Sequence, residues 1–160
     1  MIVKVADLSE VVRRARYREN VGPLNDLLRQ VPRGTEHRFD EDLDIDAELY
    51  RHGPDVYFQG RILGTVHAAC GRCLDEFRWS LERPFRFLIV KQAGGMEPED
   101  DTGIDHYAGD EIDLSPLVRE QALLALDDTA LCSEECKGLC AGCGANLNRE
   151  ECSCRRRPDR

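Results

Sequence analysis

Cysteine is the residue type whose spacing in this chain points most directly to chemistry. Six of the eight cysteines lie in the last thirty residues, and the other two form a Cys-Gly-Arg-Cys element at residues 70–73. Thiolates in Cys-x-x-Cys and Cys-x-Cys pairs supply the sulfur geometry that tetrahedral zinc requires. We therefore expect a metal-clamped binding module.

The C-terminal cysteines predict one four-sulfur zinc site. Residues 140–144 read Cys-Ala-Gly-Cys-Gly, in which glycine permits the tight turn that directs backbone amides at a thiolate. Cys-Ser-Cys follows eight residues later. The predicted ligands are Cys140, Cys143, Cys152 and Cys154. The alternative interpretation is a set of free or oxidised surface thiols.

The remaining cysteines predict a second site, with ligands Cys70, Cys73, Cys132 and Cys136. The spacing of Cys132, Cys136 and Cys140 is also helical, which leaves ligand exchange among these three open. A histidine can also replace a sulfur, and the candidates are His37, His52, His67 and His106. We expect one or two structural zinc ions per chain.

Composition indicates a reducing, cytoplasmic setting. The first residues carry charges where a signal peptide needs an unbroken apolar stretch, and no apolar run is long enough to span a bilayer. We therefore expect no membrane association. Disulfides are rare in a reducing compartment, which favours metal over disulfide bonding for the eight cysteines.

The sequence argues against an enzyme. A zinc ion held by four cysteines leaves no position for a reactive water. The Cys70–Cys73 element is predicted on a hairpin turn, which disfavours thiol exchange because no helix N-terminus activates it. We find no Gly-rich phosphate loop, no nucleophile–histidine–acid set and no paired catalytic carboxylates.

The pattern of the first half predicts mainly strands. We expect a short strand at residues 2–5, a helix over 8–18 with a basic exposed side, and one helical turn around 24–28 within a connecting segment. Leu43, Ile45, Ala47 and Leu49 alternate with acids, the period of a half-buried strand. A turn at 52–55 leads into a long strand over 56–69.

The second half predicts further strands, a loop and a helix. Strands at 76–82 and 85–90 follow the Cys70–Cys73 turn. Eight acids and no Lys or Arg lie between Glu97 and Asp113, a stretch that overlaps a predicted mobile acidic loop at about 94–111. Ser115 is predicted to cap a helix that begins with Pro116 and ends near Leu126.

The fold class predicted from these elements is α+β, an antiparallel β-meander packed by one or two helices with a C-terminal Cys-rich zinc segment. A chain of 160 residues is one ordinary domain with room for a small appendage. We place the α+β domain at residues 1–126 and the Cys-rich segment with its basic tail at 127–160.

The segments at residues 70–77, 112–120 and 136–148 together resemble the YceD family, the large ribosomal RNA subunit accumulation proteins. Residues 70–77 (CGRCLDEF) are similar to the family's Cys-x-Arg-Cys-Leu-x-x-Phe hairpin. Residues 112–120 (IDLSPLVRE) resemble its helix start, and residues 136–148 (CKGLCAGCGANLN) resemble its C-terminal signature. Ala141 stands where many relatives carry proline.

The resemblance implies a non-enzymatic role in ribosome biogenesis, supporting accumulation or processing of 23S large-subunit rRNA. The implied partners are the rRNA precursor or an assembling ribosomal particle. Basic residues on the zinc tip and tail are candidate phosphate contacts, and these are Lys137, Arg149, Arg155, Arg156 and Arg157. The alternative for this tail is a solvated terminus.

Two other functions stay open at this point. In the first, the protein is a zinc-stabilised adaptor whose acidic loop docks a basic partner, such as a ribosomal protein or a processing nuclease. In the second, the eight cysteines make it a thiol oxidoreductase or redox sensor.

Overall fold

The computed structural model describes residues 1–30, 37–92, 104–127, 129–152 and Cys154. The strands in these ranges are β1 (Ile2–Lys4), β2 (Arg13–Glu19), β3 (Arg38–Phe39), β4 (Leu43–His52), β5 (Asp55–Ala69), β6 (Glu76–Lys91), β7 (Asp105–Tyr107) and β8 (Glu111–Asp113). The α-helices are α1 (Gly22–Gln30) and α2 (Ser115–Leu124), and Val5–Asp7 forms a short 3-10 helix. The predicted α+β class is confirmed.

The main sheet is built around a long hairpin. Its strand order is β2-β4-β5-β6-β7, and β3 also pairs with β5. The pairs are antiparallel, except that β7 runs parallel to β6. In the hairpin, the register of β5 and β6 ends at Ala69 opposite Glu76. Cys70 and Cys73 therefore lie in the turn at its tip.

One face of the main sheet holds the core. On β4, Leu43, Ile45, Ala47 and Leu49 are at most 2% exposed. The helices lie on this face, because buried residues of α1 and α2 belong to the same apolar cluster as those of β4. Each large apolar side chain buried in this way stabilises the fold by about 1.5–3 kcal/mol, so the alternation on β4 fixes the register of the sheet.

The helix predicted over residues 8–18 is wrong, since residues 13–19 form strand β2. Arginines at alternate positions of β2 face acids of β4. The ion pairs join Arg14 to Glu48, Arg16 to Asp46 and Arg18 to Asp44, at 3.2, 3.5 and 3.6 Å. Pairing with β4 therefore overrides the helical spacing of the local apolar residues.

Two other elements are longer than predicted. The single helical turn expected near residues 24–28 is the nine-residue helix α1. The two strands expected around Pro84 form one strand, β6. Pro84 fits there because β7 pairs only with Ile89–Lys91, which leaves the other side of β6 open at Pro84 within the described residues.

The predicted acidic loop at about 94–111 is corrected at its C-terminal end, while residues 93–103 lie outside the described residues. Asp105–Tyr107 forms β7, and Glu111 begins β8. Tyr107 is 5% exposed, and its hydroxyl donates a hydrogen bond to the carbonyl of Pro54 at 2.7 Å. Burial of this ring attaches the segment to the sheet.

Helix α2 begins beside a second, two-stranded sheet of β1 and β8. Ser115, predicted as the N-cap, is the first helical residue, and Leu114 occupies the cap position. The Ser115 hydroxyl instead donates to Glu19 at 3.0 Å. Pro116 lies in the first turn as predicted, and the helix ends at Leu124 rather than near Leu126.

Candidate metal centres

The structure brings the eight cysteine sulfurs into two clusters. Cys70, Cys73, Cys132 and Cys136 form one, here called the hairpin site, and Cys140, Cys143, Cys152 and Cys154 form the other, here called the C-terminal site. In each cluster the four sulfurs lie within 4.8 Å of one another. These are the two groups that the sequence predicts. Both can hold a metal ion.

The first knuckle of the hairpin site is a tight turn held by backbone hydrogen bonds. The Cys70 amide donates to the carbonyl of Asp75 at 2.8 Å, and the Leu74 amide donates to the carbonyl of Cys70 at 2.9 Å. The Arg72 amide then points at the Cys70 sulfur, 3.5 Å away. Such amide donors favour the thiolate that a metal binds.

The C-terminal site repeats this turn. The Cys140 amide donates to the carbonyl of Ala145 at 2.8 Å, and the Gly144 amide donates to the carbonyl of Cys140 at 2.8 Å. The Gly142 amide lies 3.4 Å from the Cys140 sulfur. Two Cys-x-x-Cys elements from distant parts of the chain therefore adopt the same hydrogen-bonded turn.

The sulfur spacing of the hairpin site fits a tetrahedral ion. With metal–sulfur bonds of about 2.3 Å, the sulfurs of a tetrahedron lie about 3.8 Å apart. The Cys70–Cys136 and Cys73–Cys132 sulfurs are 3.8 and 3.7 Å apart. Cys70, Cys73 and Cys136 are at most 4% exposed. Such a site is closed, and its four positions are all taken by protein.

The C-terminal site is tighter and more exposed. The Cys152 sulfur lies 3.3 Å from the Cys143 sulfur and 3.2 Å from that of Cys140. The Cys154 amide donates to the Cys152 sulfur at 3.2 Å. Cys143 and Cys154 are exposed. This cluster therefore lies nearer the surface than the hairpin site.

The electrostatics favour thiolate at one sulfur of each knuckle. Burial alone raises the pKa of Cys70, but hydrogen bonds from the backbone of Cys132, Arg72 and Cys73 lower it to about 6. Hydrogen bonds from Cys152 and from the Gly142 amide lower the pKa of Cys140 to about 6. Metal ligation requires this deprotonated form.

One other sulfur of each cluster has a raised pKa, which favours its protonated form. Burial raises the pKa of Cys73 to about 12. The hydrogen bond to Cys140 raises the pKa of Cys152 to about 12. A dication neutralises the repulsion among four thiolates, so metal binding releases protons from these two cysteines.

An outer layer of polar groups supports the hairpin site. The Asn148 side-chain amide donates to the Cys136 sulfur at 3.3 Å, and this bond lowers the pKa of Cys136. The Arg72 guanidinium donates to the carbonyl of Cys136 at 3.1 Å. The Asp75 carboxylate accepts a hydrogen bond from the Asn146 side-chain amide at 2.9 Å and forms an ion pair with Arg149 at 3.0 Å.

The sequence analysis did not single out Asp75, Asn146 or Asn148 as site residues. Cysteine spacing cannot identify them because they bind no metal and act on the ligands through hydrogen bonds. The signal that could have found them is the Gly-x-Asn-Leu-Asn run at residues 144–148. It follows the second knuckle directly, where polar side chains can reach back to the sulfurs.

The four histidines lie outside both clusters of the described residues. His37 packs edge-on against Trp79 with ring centroids 5.6 Å apart, and His52 lies 3.4 Å from Glu10. His67 is buried, with Nε2 3.2 Å from a Glu76 carboxylate oxygen. His106 is an exposed residue of β7. Sulfur therefore fills all eight candidate ligand positions.

The structure describes two of the five candidate phosphate contacts. Lys137 is exposed beside Cys136, and Arg149 is 70% exposed and paired with Asp75. Arg155, Arg156 and Arg157 lie outside the described residues. The described helices offer no membrane span, since neither is long and apolar enough to cross a bilayer.

The chain is similar to proteins connected with large-subunit ribosomal RNA. The family model of the large ribosomal RNA subunit accumulation protein YceD matches residues 58–160. The large ribosomal RNA subunit accumulation protein YCED homolog 1, chloroplastic, of Arabidopsis thaliana is 40% identical over 141 residues, covering 71% of this chain and 44% of the relative. The Zea mays protein of the same name is 45% identical over 142 residues, covering 71% and 48%.

A more distant relative is an uncharacterised protein of Mycobacterium leprae, 24% identical over 107 residues, with 66% of this chain and 49% of the relative covered. The chain thus spans about half the length of the curated relatives it matches. No solved structure matches it. Because the family model covers well over half of the chain, including every cysteine of both clusters, the chain belongs to the YceD family of large ribosomal RNA subunit accumulation proteins.

Proposed function

We propose that the protein is a non-enzymatic ribosome biogenesis factor that supports the accumulation or processing of large-subunit rRNA in the cytoplasm. Its proposed partner is the rRNA precursor or the particle assembling on it. The observation that carries the proposal is that all eight cysteines of the two clusters lie within residues 58–160, the part that matches the family. The sulfur clusters thus belong to the family region.

The metal we propose for both sites is zinc. Four thiolates with sulfur–sulfur distances of 3.7–3.8 Å in the hairpin site suit its tetrahedral preference. Bound there, zinc would replace a large apolar core as the source of stability for a short segment with little regular structure. The ion would be structural in each site because the four positions are filled by cysteine.

We propose that the metal-clamped tip contacts RNA through basic side chains. The Lys137 amide donates to the Asn148 side chain at 2.8 Å, which fixes the backbone from which the exposed lysine projects. One nitrogen of the Arg149 guanidinium pairs with one carboxylate oxygen of Asp75, which leaves other N–H groups of the guanidinium for phosphate. Arg155, Arg156 and Arg157 would extend this contact along the tail.

The proposed function is tested by depleting the protein in its own cell. The measurement is the ratio of precursor and mature large-subunit rRNA to small-subunit rRNA. We expect a selective loss of mature large-subunit rRNA, restored by the wild-type gene and not by a Cys73→Ser variant. An unchanged ratio would contradict the proposal.

The RNA contact is tested separately with purified protein. Lys137→Glu and a tail variant reversing Arg155, Arg156 and Arg157 should weaken binding to a precursor transcript and flatten its salt dependence. The control is Arg29→Glu on helix α1, which changes the net charge by as much as Lys137→Glu does, at a residue paired with Asp26 at 2.7 Å. Equal binding by the three variants and the wild type would remove these residues from the proposal.

A further inference from the structure

The loop that carries the C-terminal site rests on the hairpin site. The Leu139 amide donates to the carbonyl of Arg72 at 3.1 Å, and the Leu147 amide donates to the carbonyl of Gly138 at 2.9 Å. Leu139 also forms an isolated antiparallel bridge with Asn146. The C-terminal loop is therefore joined by main-chain hydrogen bonds to the knuckle of the hairpin site.

The segment between the two sites passes very close to that knuckle. Gly138 has a φ of +72°, and a Cβ atom there would lie 3.1 Å from the Arg72 carbonyl oxygen. Only residues 137–139 separate Cys136, a ligand of the hairpin site, from Cys140, a ligand of the C-terminal site. The position of Cys140 thus depends on how Cys136 is held.

Two side-chain contacts strengthen the connection. Asp75, two residues after Cys73, accepts a hydrogen bond from Asn146 and forms an ion pair with Arg149. Both residues lie in the loop between Cys143 and Cys152. Asn148, in the same loop, donates to the Cys136 sulfur at 3.3 Å and accepts from the Lys137 amide at 2.8 Å. Asp75 therefore holds the loop, and Asn148 holds a ligand of the hairpin site.

The two sites differ in how they are supported. The hairpin site is anchored by Cys70 and Cys73 at the tip of the central hairpin, where both are at most 3% exposed. Among the described residues, the hydrogen bonds and the ion pair between loop residues 139–152 and the rest of the chain involve Arg72, Asp75 or residues 136–138. The described part of the chain shows no other hydrogen bond or ion pair that attaches the C-terminal site.

We propose that the hairpin site is the foundation of the C-terminal site, and that Asp75 and Asn148 are the positioning residues that couple them. Metal in the hairpin site fixes Cys136 and the Arg72 carbonyl, and these fix the loop that presents Cys140. The dependence runs mainly in one direction. The inference rests on the metal binding in the proposed function and is independent of the ribosomal role.

The first experiment compares matched ligand variants. Full-length Cys73→Ser and Cys143→Ser chains are loaded with zinc, and native mass spectrometry measures the zinc bound by each. We expect Cys143→Ser to keep one zinc ion in the hairpin site. Cys73→Ser should keep none, because the remaining four-cysteine site loses its support.

The second experiment leaves every ligand intact, so a ligand variant that fails to fold does not decide the question. Asp75→Ala should make the C-terminal site release zinc to a chelator about tenfold faster, with release from the hairpin site changed much less. Asp75→Asn keeps an acceptor for Asn146 and should restore part of the difference. Glu150→Ala, in the same exposed loop, is the control and should match the wild type.

The absorption spectrum of bound cobalt tests whether Asn148 acts on the metal ligand itself, because a residue that only stabilises the fold would not shift it. In the cobalt-loaded protein, Asn148→Ala removes a hydrogen bond to the Cys136 sulfur and should shift the sulfur-to-cobalt absorption of the hairpin site. The inference is overturned if Cys73→Ser retains a zinc ion of wild-type affinity, or if Asp75→Ala releases zinc as the wild type does. Neither result would affect the rRNA ratio that tests the proposed function.

Discussion

Leu74 occupies the backbone position in the first knuckle that Gly144 occupies in the second. Both residues lie in the left-handed region, with φ of 61° for Leu74 and 76° for Gly144. Among the described residues, Leu74 is the only one other than glycine with a positive φ. The residue is 65% exposed. The hydrogen-bonded turn of the first knuckle therefore holds Leu74 in a backbone conformation that leucine disfavours.

This relationship predicts the effect of exchanging the residue types. Gly144→Ala should destabilise the C-terminal site by about 1 kcal/mol, because alanine resists a positive φ. No heavy atom lies within 4 Å of the added Cβ, so a steric clash does not contribute. Amide exchange of residues 140–152 measures the change. Gly71→Ala in the first knuckle is the control, because Gly71 has no positive φ and no heavy atom closer than 3.7 Å to the added Cβ. An equal loss of protection around that knuckle would contradict the conformational explanation.

Leu74→Gly should change stability by less than about 0.5 kcal/mol. Relief of the left-handed strain, about 1 kcal/mol, offsets the greater freedom that glycine gains in the unfolded chain, about 0.5–1 kcal/mol. The midpoint of urea unfolding at saturating zinc measures the balance. A loss of several kcal/mol would mean that the exposed leucine side chain makes a stabilising contact.

Removal of metal should unfold the tip and spare the sheet. Four-cysteine zinc binding contributes on the order of 10 kcal/mol to the folding of small segments. We expect a chelator to abolish amide protection over residues 129–152, while β4 keeps its protection because its core residues are at most 2% exposed. Cys143→Ser without chelator should remove protection mainly from residues 139–152. Unchanged exchange in both cases would show that metal does not hold these segments.

The carboxylate of Glu19 predicts a stability effect far from the metal. It is 4% exposed and lies 2.6 Å from the Arg119 guanidinium, whose side chain is 29% exposed. Arg119→Met should destabilise the fold by about 2–3 kcal/mol, because it removes the nearest positive charge from a buried carboxylate. The Met1 ammonium, 3.8 Å from Glu19, and the Ser115 hydroxyl are the contacts that would remain. Urea unfolding measures the loss. Arg29→Met, which breaks the exposed pair with Asp26, should cost less than about 1 kcal/mol.

Asp40 predicts a dependence of stability on pH. Hydrogen bonds from Arg78, and then from Arg38, lower the pKa of this carboxyl below its ordinary value. A carboxyl whose pKa is lower in the folded than in the unfolded protein stabilises the fold at pH values above the unfolded pKa, about 3.9. This stabilisation is lost as the pH falls through the folded pKa. Asp40→Asn should therefore melt at a lower temperature than the wild type at neutral pH.

The difference between Asp40→Asn and the wild type should shrink as the pH falls below about 4. Comparing the two proteins at each pH cancels the loss of metal that acid also causes. Glu41→Gln is the control, because the Glu41 carboxylate is exposed and lies 3.9 Å from Arg18. Its melting temperature should differ less from that of the wild type. A difference that stays constant from neutral to acid pH would contradict the electrostatic explanation.

The candidate site could be predicted largely from the sequence, because metal ligands are identified by residue type and spacing. The division of the cysteines into two groups of four agrees with the structure. The polar groups around them could not be predicted in the same way. Asp75 and Asn148 come from distant parts of the chain, and only the folded hairpin brings both to the same site.

The fold shows a similar limit at β2. Leu8, Val11, Val12 and Ala15 have helical spacing, which predicts a helix when the segment is taken alone. The competing alternation of arginines becomes decisive only when β4 supplies an acid opposite each one. Strand β4 itself was predicted correctly because its buried and acidic residues alternate without a break over residues 43–49.

Native mass spectrometry of the freshly purified chain tests the central claim most directly, together with titration of its free thiols. The account predicts two zinc ions per chain and eight unreactive cysteines, in agreement with two closed four-sulfur clusters. A chain that carried no metal and whose cysteines reacted freely would contradict it. The knuckle turns would then have to fold without the ion that we propose holds them.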